Sequence, residues 1–303
     1  MLGFYDRRRN VAHFLQDSII VLEHVRNGPT ADDLTPSQTQ LTSTPDALIP
    51  YREAAPSRAR ILEHGHFDFF RTRAGFFSAL VFRCISFNSE AFRSCPQSII
   101  RFQFATLSEW HQYLDALRAI FPNEGPEFFC NTRALGQPIT ERTIDKADEF
   151  WRIAQTCDWP SEDAWPMEFV DMYDTFKSIK DENGLPGCGK LGMYLLTADM
   201  VGYGVVAPPR LIEIVFTVIH VNKGAIRGLI LLGYLTASPD DHTVDNVFKA
   251  FQAFVTDIRL LFAAQVGKLG RDRRWDVDYI IAEHLLCKFG RMWRMNYYKY
   301  SVL

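Results

Sequence analysis

The sequence predicts a mainly α protein, a bundle-like array of about ten helices. Two observations favour helices and a third argues against sheet. The chain is 47% hydrophobic and holds 24 Phe, the composition of a core packed with aromatic rings. Apolar residues recur at helical spacing in most long windows. The only β-rich runs are residues 99–104 and 215–221, and neither has a hairpin turn beside it. At 303 residues the chain has room for one large domain or two small ones.

The elements follow in order. In residues 5–25, Val11, Phe14, Leu15, Ile19 and Leu22 share one helical face, so residues 1–27 form a helix that docks on the main body. Residues 28–58 carry Pro29, Pro36, Pro45, Pro50 and Pro56 among many Thr, Ser and Asp, the composition of a flexible Pro/Thr-rich linker. Residues 59–303 then make the helical domain. Residues 67–87 read as one continuous Phe-rich buried helix. Residues 108–121 place Trp110, Tyr113, Leu114, Leu117 and Ile120 on one face. Residues 139–157 open near Thr140 and Thr143 and continue through Ala147, Phe150 and Ile153. Residues 172–183 and 189–200 flank a glycine-rich turn. Residues 245–266 carry Val247, Phe248, Phe251, Phe254 and Ile258, and residues 276–295 form the last helix.

Charge and cysteine usage exclude several classes. A net charge of −3 rules out a polycation, so any nucleic-acid site must be a local patch. The most apolar stretch, residues 211–236, is broken by Glu213, Lys223 and Arg227 and reads as buried core helices, with no membrane span. Arg7, Arg8 and Arg9 sit among Asp6 and Asp17 with no apolar segment before them, which argues against a targeting signal. The six cysteines are widely spaced and read as reduced, mostly buried thiols in an intracellular protein, nuclear if the source is eukaryotic. His64 and His66 lack cysteine partners, so no metal site is indicated, and the sequence leaves the cofactor unknown.

The most informative stretch is Gly184-Leu185-Pro186-Gly187-Cys188-Gly189-Lys190. A P-loop would need a buried strand before it and Ser or Thr after the lysine; residues 176–183 are charged and helical, and Leu191 follows Lys190. A helix-hairpin-helix fits better, with its helices near 172–200. Gly187 and Gly189 would let a phosphate approach, the first amides of the second helix would point at it, and Lys190 would add a charge. The alternative is an ordinary helix corner whose glycines serve geometry alone.

Other candidates are weighed the same way. Asp199, on the second of these helices, is either a capping or salt-bridged residue or a site carboxylate. Arg83 and Asn88 flank an apolar run and suit an anion or a base edge, unless Arg83 is buried against Glu90. Glu283 and His284 form an acid–base pair or a solvated helix face, with Cys287 one turn beyond. Lys268, Arg271, Arg273, Arg274, Lys288, Arg291, Arg294 and Lys299 cluster late, interleaved with Trp293, Tyr297 and Tyr298. That mixture suits a DNA backbone and an unstacked base, or else a solvated terminal helix.

Three segments read together resemble a known family. Val81-Phe82-Arg83-Cys84-Ile85-Ser86-Phe87-Asn88-Ser89-Glu90 resembles the Phe-Arg…Phe-Asn…Glu segment of the α-glutamyl/putrescinyl thymine pyrophosphorylases, also described as 5-hydroxymethyluracil DNA kinases and their helical domains. Its spacing departs from the pattern at Cys84-Ile85-Ser86. The Leu185–Gly189 turn followed by a helix carrying Asp199, and a late segment with Glu283, His284, Cys287, Lys288 and Arg291, complete the likeness. The resemblance implies a helical fold related to helix-hairpin-helix DNA glycosylases and recognition or processing of a modified thymine in DNA. Beside it, the reading of the residues themselves sets Asp199, Glu283 and His284 as the catalytic candidates and Gly187, Gly189, Lys190, Arg83, Asn88, Lys288 and Arg291 as the DNA-contact candidates. Base excision itself is disfavoured. The position where such glycosylases carry their catalytic Asp falls on residues 206–209, which hold no carboxylate, and the bifunctional enzymes' lysine position is Leu191. A catalytically inert interaction module with the same fold is the second reading.

Overall fold

The computed structural model describes residues 4–27, 34–62, 67–131, 143–221, 223–266 and 277–298. Among them the chain is mainly helical. Its helices are α1 (Phe4–Asn27), α2 (Pro36–Ser43), α3 (Pro45–Leu48), α4 (Pro56–Leu62), α5 (Arg73–Val81), α6 (Glu90–Ser94) and α7 (Leu107–Ile120). They continue as α8 (Lys146–Thr156), α9 (Phe169–Asn183), α10 (Lys190–Gly202), α11 (Leu211–Val221), α12 (Lys223–Leu231), α13 (Val244–Val266) and α14 (Tyr279–Arg294). The chain divides into two compact units: one comprises Met1–Pro56 and Pro209–Leu303, the other Ser57–Pro208. The single helical domain expected over 59–303 is therefore split, and its middle part is inserted into a unit that both ends of the chain build.

In the first unit α1 packs against α13, α14 and α2, while α12 lies along α14 and α11 along α13. The apolar stripe of α1 is the reason: Val11, Phe14, Leu15, Ile19 and Leu22 are all buried. Phe14 meets Tyr298 edge-on with ring centroids 5.5 Å apart. Polar contacts fix the register. Asp17 accepts from Ser37 Oγ (3.0 Å), Gln38 Nε2 (2.9 Å) and Tyr298 Oη (2.6 Å). Arg8 donates to Asp257 at 3.1 Å and lies over the Tyr234 ring.

The Pro/Thr-rich linker is corrected by this unit. Residues 28–33 lie outside the described residues, but residues 34–56 are short helices with Leu41, Leu48, Ile49 and Tyr51 buried. The prolines are helix starters: Pro36 and Pro45 occupy first-turn positions, where the missing N–H costs nothing, and α4 begins at Pro56. Thr35 and Gln38 form a reciprocal capping box ahead of α2.

In the second unit α5 packs on α8 and on a 3-10 turn, Phe67–Arg71. The continuous helix expected over 67–87 is broken at Thr72, whose hydroxyl accepts from Gly75 N and starts α5 afresh. Gly75 is required there, because a Cβ would sit 2.1 Å from the Phe69 carbonyl oxygen. After Val81 the helix widens into a π turn, Phe82–Ser86. Aromatic rings fill the interior: Phe76 stacks on Trp159 at 4.3 Å and Phe70 on Tyr203 at 3.7 Å.

Neither β-rich run is a strand. Residues 215–221 belong to α11, where burial overrides β propensity. Phe104, at the end of residues 99–104, spends its amide on the Ser78 hydroxyl (2.9 Å). The helix expected from residue 139 is observed at Lys146–Thr156; residues 139–142 lie outside the described residues. Among the described residues, no single helix is long and apolar enough to cross a membrane.

Candidate functional site

The α9–turn–α10 segment belongs wholly to the second unit. α9 stops at Gly184, which takes φ +68°. Leu185 is buried and anchors the turn. The Cys188 amide donates to the Leu185 carbonyl at 3.1 Å across Pro186 and Gly187, and Gly187 has φ +65°, as a type II turn demands. Cys188 points inward and is buried. Gly189 then caps α10 without any side-chain hydrogen bond, and a Cβ built on it would meet nothing within 4 Å. Gly189 and Lys190 are both exposed. The start of α10 therefore presents a residue without a side chain, followed by one lysine, to solvent.

Asp199, on the same helix, is in the opposite situation. It is fully buried and sits between two guanidiniums. Arg83 grips it bidentately, with Nε donating to Oδ2 at 2.6 Å and Nη2 to Oδ1. Arg58 Nη1 lies 2.9 Å from Oδ1, and its guanidinium covers the Tyr203 ring at 4.9 Å. Arg83 in turn lies over Phe87 at 4.5 Å. The π turn carries Arg83 to this position, and α4 carries Arg58. For Asp199 the salt-bridged alternative is the one observed: a carboxylate sealed from solvent and held by two arginines ties α4, the π turn and α10 together. Arg83 is buried in the same pairing, as its expected alternative of a buried, paired arginine has it. Its expected alternative partner, Glu90, pairs instead with Arg93 at the surface. Asn88 holds φ +57° just after the π turn, a left-handed position that Asn tolerates, and so serves the backbone. Sequence reasoning missed Arg58, which closes the presumed linker and carries no motif.

The remaining candidates lie in the first unit. Glu283 is fully buried and His284 nearly so, which corrects the solvated-face reading. His284 Nε2 is 3.4 Å from Glu283 Oε2, and the Cys287 thiol donates to Glu283 Oε1 at 3.2 Å. Lys288 donates to the Ala47 carbonyl, as does Arg291 at 3.3 Å, so both satisfy the C-terminal end of α3. Burial, aided by the Arg291 charge, lowers the Lys288 ammonium to about 8. Lys288 and Arg291, both expected as DNA contacts, are half-buried and each spends a donor on this internal carbonyl. Lys268, Arg271, Arg273, Arg274 and Lys299 lie outside the described residues. No group of His, Cys, Asp and Glu among the described residues could hold a metal ion, and all six cysteines are free thiols.

No family model, curated protein or solved structure matches this chain.

Proposed function

We infer that the α9–α10 pair is a helix-hairpin-helix and that the chain is a DNA-binding protein which grips one backbone phosphate there. The observation that carries this reading is the start of α10. A Pro186–Gly187 turn leads into an exposed Gly189 that begins α10 with no side chain of its own to cap it. Such an end attracts an anion through its N–H groups and the helix dipole, and Lys190 adds a charge. The likeness to the modified-thymine family supplies the base to look for, a 5-substituted pyrimidine such as 5-hydroxymethyluracil. Asp199 is locked in its ion pairs, so the activity is recognition rather than catalysis through that carboxylate.

Fluorescence anisotropy with labelled duplexes, with and without 5-hydroxymethyluracil, tests the reading. Binding of both duplexes supports a backbone grip, and tighter binding of the modified duplex adds base recognition. Absence of binding to either at low salt would leave an interaction module of the same fold.

A further inference from the structure

The second unit holds a cleft of about 540 Å³ lined by Asp68, Arg71, Thr72, Arg73, Trp159, Pro160 and Ser161. That volume matches a small-molecule site and far exceeds what one inorganic ion fills. We propose that it binds a phosphorylated small molecule, with the phosphate between Arg71 and Arg73 and the organic body against Trp159 and Pro160.

The two arginines are prepared differently. Arg73 Nη1 donates to the carbonyls of Ala154 (3.0 Å), Gln155 (3.2 Å) and Cys157 (2.5 Å), which fixes the guanidinium at the end of α8. Among the described residues its other nitrogens have no partner, so they remain for a ligand already oriented. Arg71 has Nε out of solvent without a hydrogen-bond partner, and Nη1 only 3.3 Å from Asp68, whose side chain is 88% exposed. Such a pair is weak and readily replaced by a dianion. The Ser161 side chain is exposed on the same wall, whereas Thr72 Oγ1 already donates to Phe69 O (2.7 Å). Trp159 makes a rigid apolar side, stacked on Phe76 and donating Nε1 to Arg71 O at 2.7 Å. Two guanidiniums in one recess, one fixed and one underused, suit a doubly charged tetrahedral oxyanion better than a single carboxylate.

Isothermal titration of the full chain with phenyl phosphate, inorganic phosphate and phenol tests this. Phenyl phosphate binds, inorganic phosphate binds more weakly and phenol does not bind. Arg71→Gln weakens phenyl phosphate about tenfold, the worth of one charge-assisted contact. Asp68→Asn tightens it about threefold by removing the competing carboxylate. Asp68 faces solvent, and its variant gains rather than loses affinity, so misfolding cannot imitate the pattern. No binding of phenyl phosphate, or affinities unchanged in Asp68→Asn, overturns the proposal.

Discussion

Asp199 lies at 0% exposure with Arg58 and Arg83 on its oxygens, and three segments of the second unit meet at that one side chain. Removing its charge leaves two guanidiniums buried against a neutral amide, so Asp199→Asn should destabilise the fold by about 3–5 kcal/mol. Urea unfolding followed at the aromatic signal measures this; a loss under 1 kcal/mol would make the cluster incidental. The pair was half legible in the sequence. Arg83 and Asp199 stood out as polar residues inside apolar runs, but nothing indicated that they were partners, since 116 positions separate them. Arg58 stood at the edge of a Pro-rich stretch whose composition mimics disorder, and its burial comes from tertiary packing alone.

At the scale of elements, amphipathic period was a reliable guide wherever one face is buried. Val244–Val266, Leu107–Ile120 and Phe4–Asn27 all lie within a few residues of their expected spans. It failed where local chemistry interrupts the period. Thr72 restarts a helix inside a uniform Phe-rich run, and prolines begin helices instead of breaking them. The contact between α14 and α3 was equally hidden: Lys288 and Arg291 look like surface cations, yet both end on the Ala47 carbonyl. The Lys288 amine falls from 10.5 to about 8 in the folded state, so between those values the unfolded chain binds more protons and stability gained at this site rises with pH. Below pH 8 the full cost of burying the ammonium is present. Comparing wild type with Lys288→Met should show wild-type stability gaining about 1–2 kcal/mol on the variant from pH 8 to 10. The comparison isolates this lysine from Tyr113, Tyr234 and Tyr298, whose raised values act in the opposite direction above pH 10. A constant difference across that range would place the ammonium in solvent.

For the whole molecule, a net charge of −3 sets the terms of any DNA complex. At the α9–α10 turn Lys190 is the exposed cation among the expected contacts; Lys180 precedes the turn but is followed by Asp181 and Glu182. Binding through α9–α10 therefore neutralises one or two phosphates, and affinity should fall only about three- to twelve-fold between 50 and 200 mM salt. A much steeper dependence measured by anisotropy would assign the contact to a larger basic surface. Gly189→Ala tests the central claim most directly. The substitution meets no atom within 4 Å and sits at φ −75°, so the fold should lose under about 1 kcal/mol. The added methyl group would nevertheless stand where a phosphate must approach the α10 amides. The account predicts a thermal midpoint close to wild type together with at least tenfold weaker duplex binding. A variant that binds DNA as tightly as wild type would contradict it.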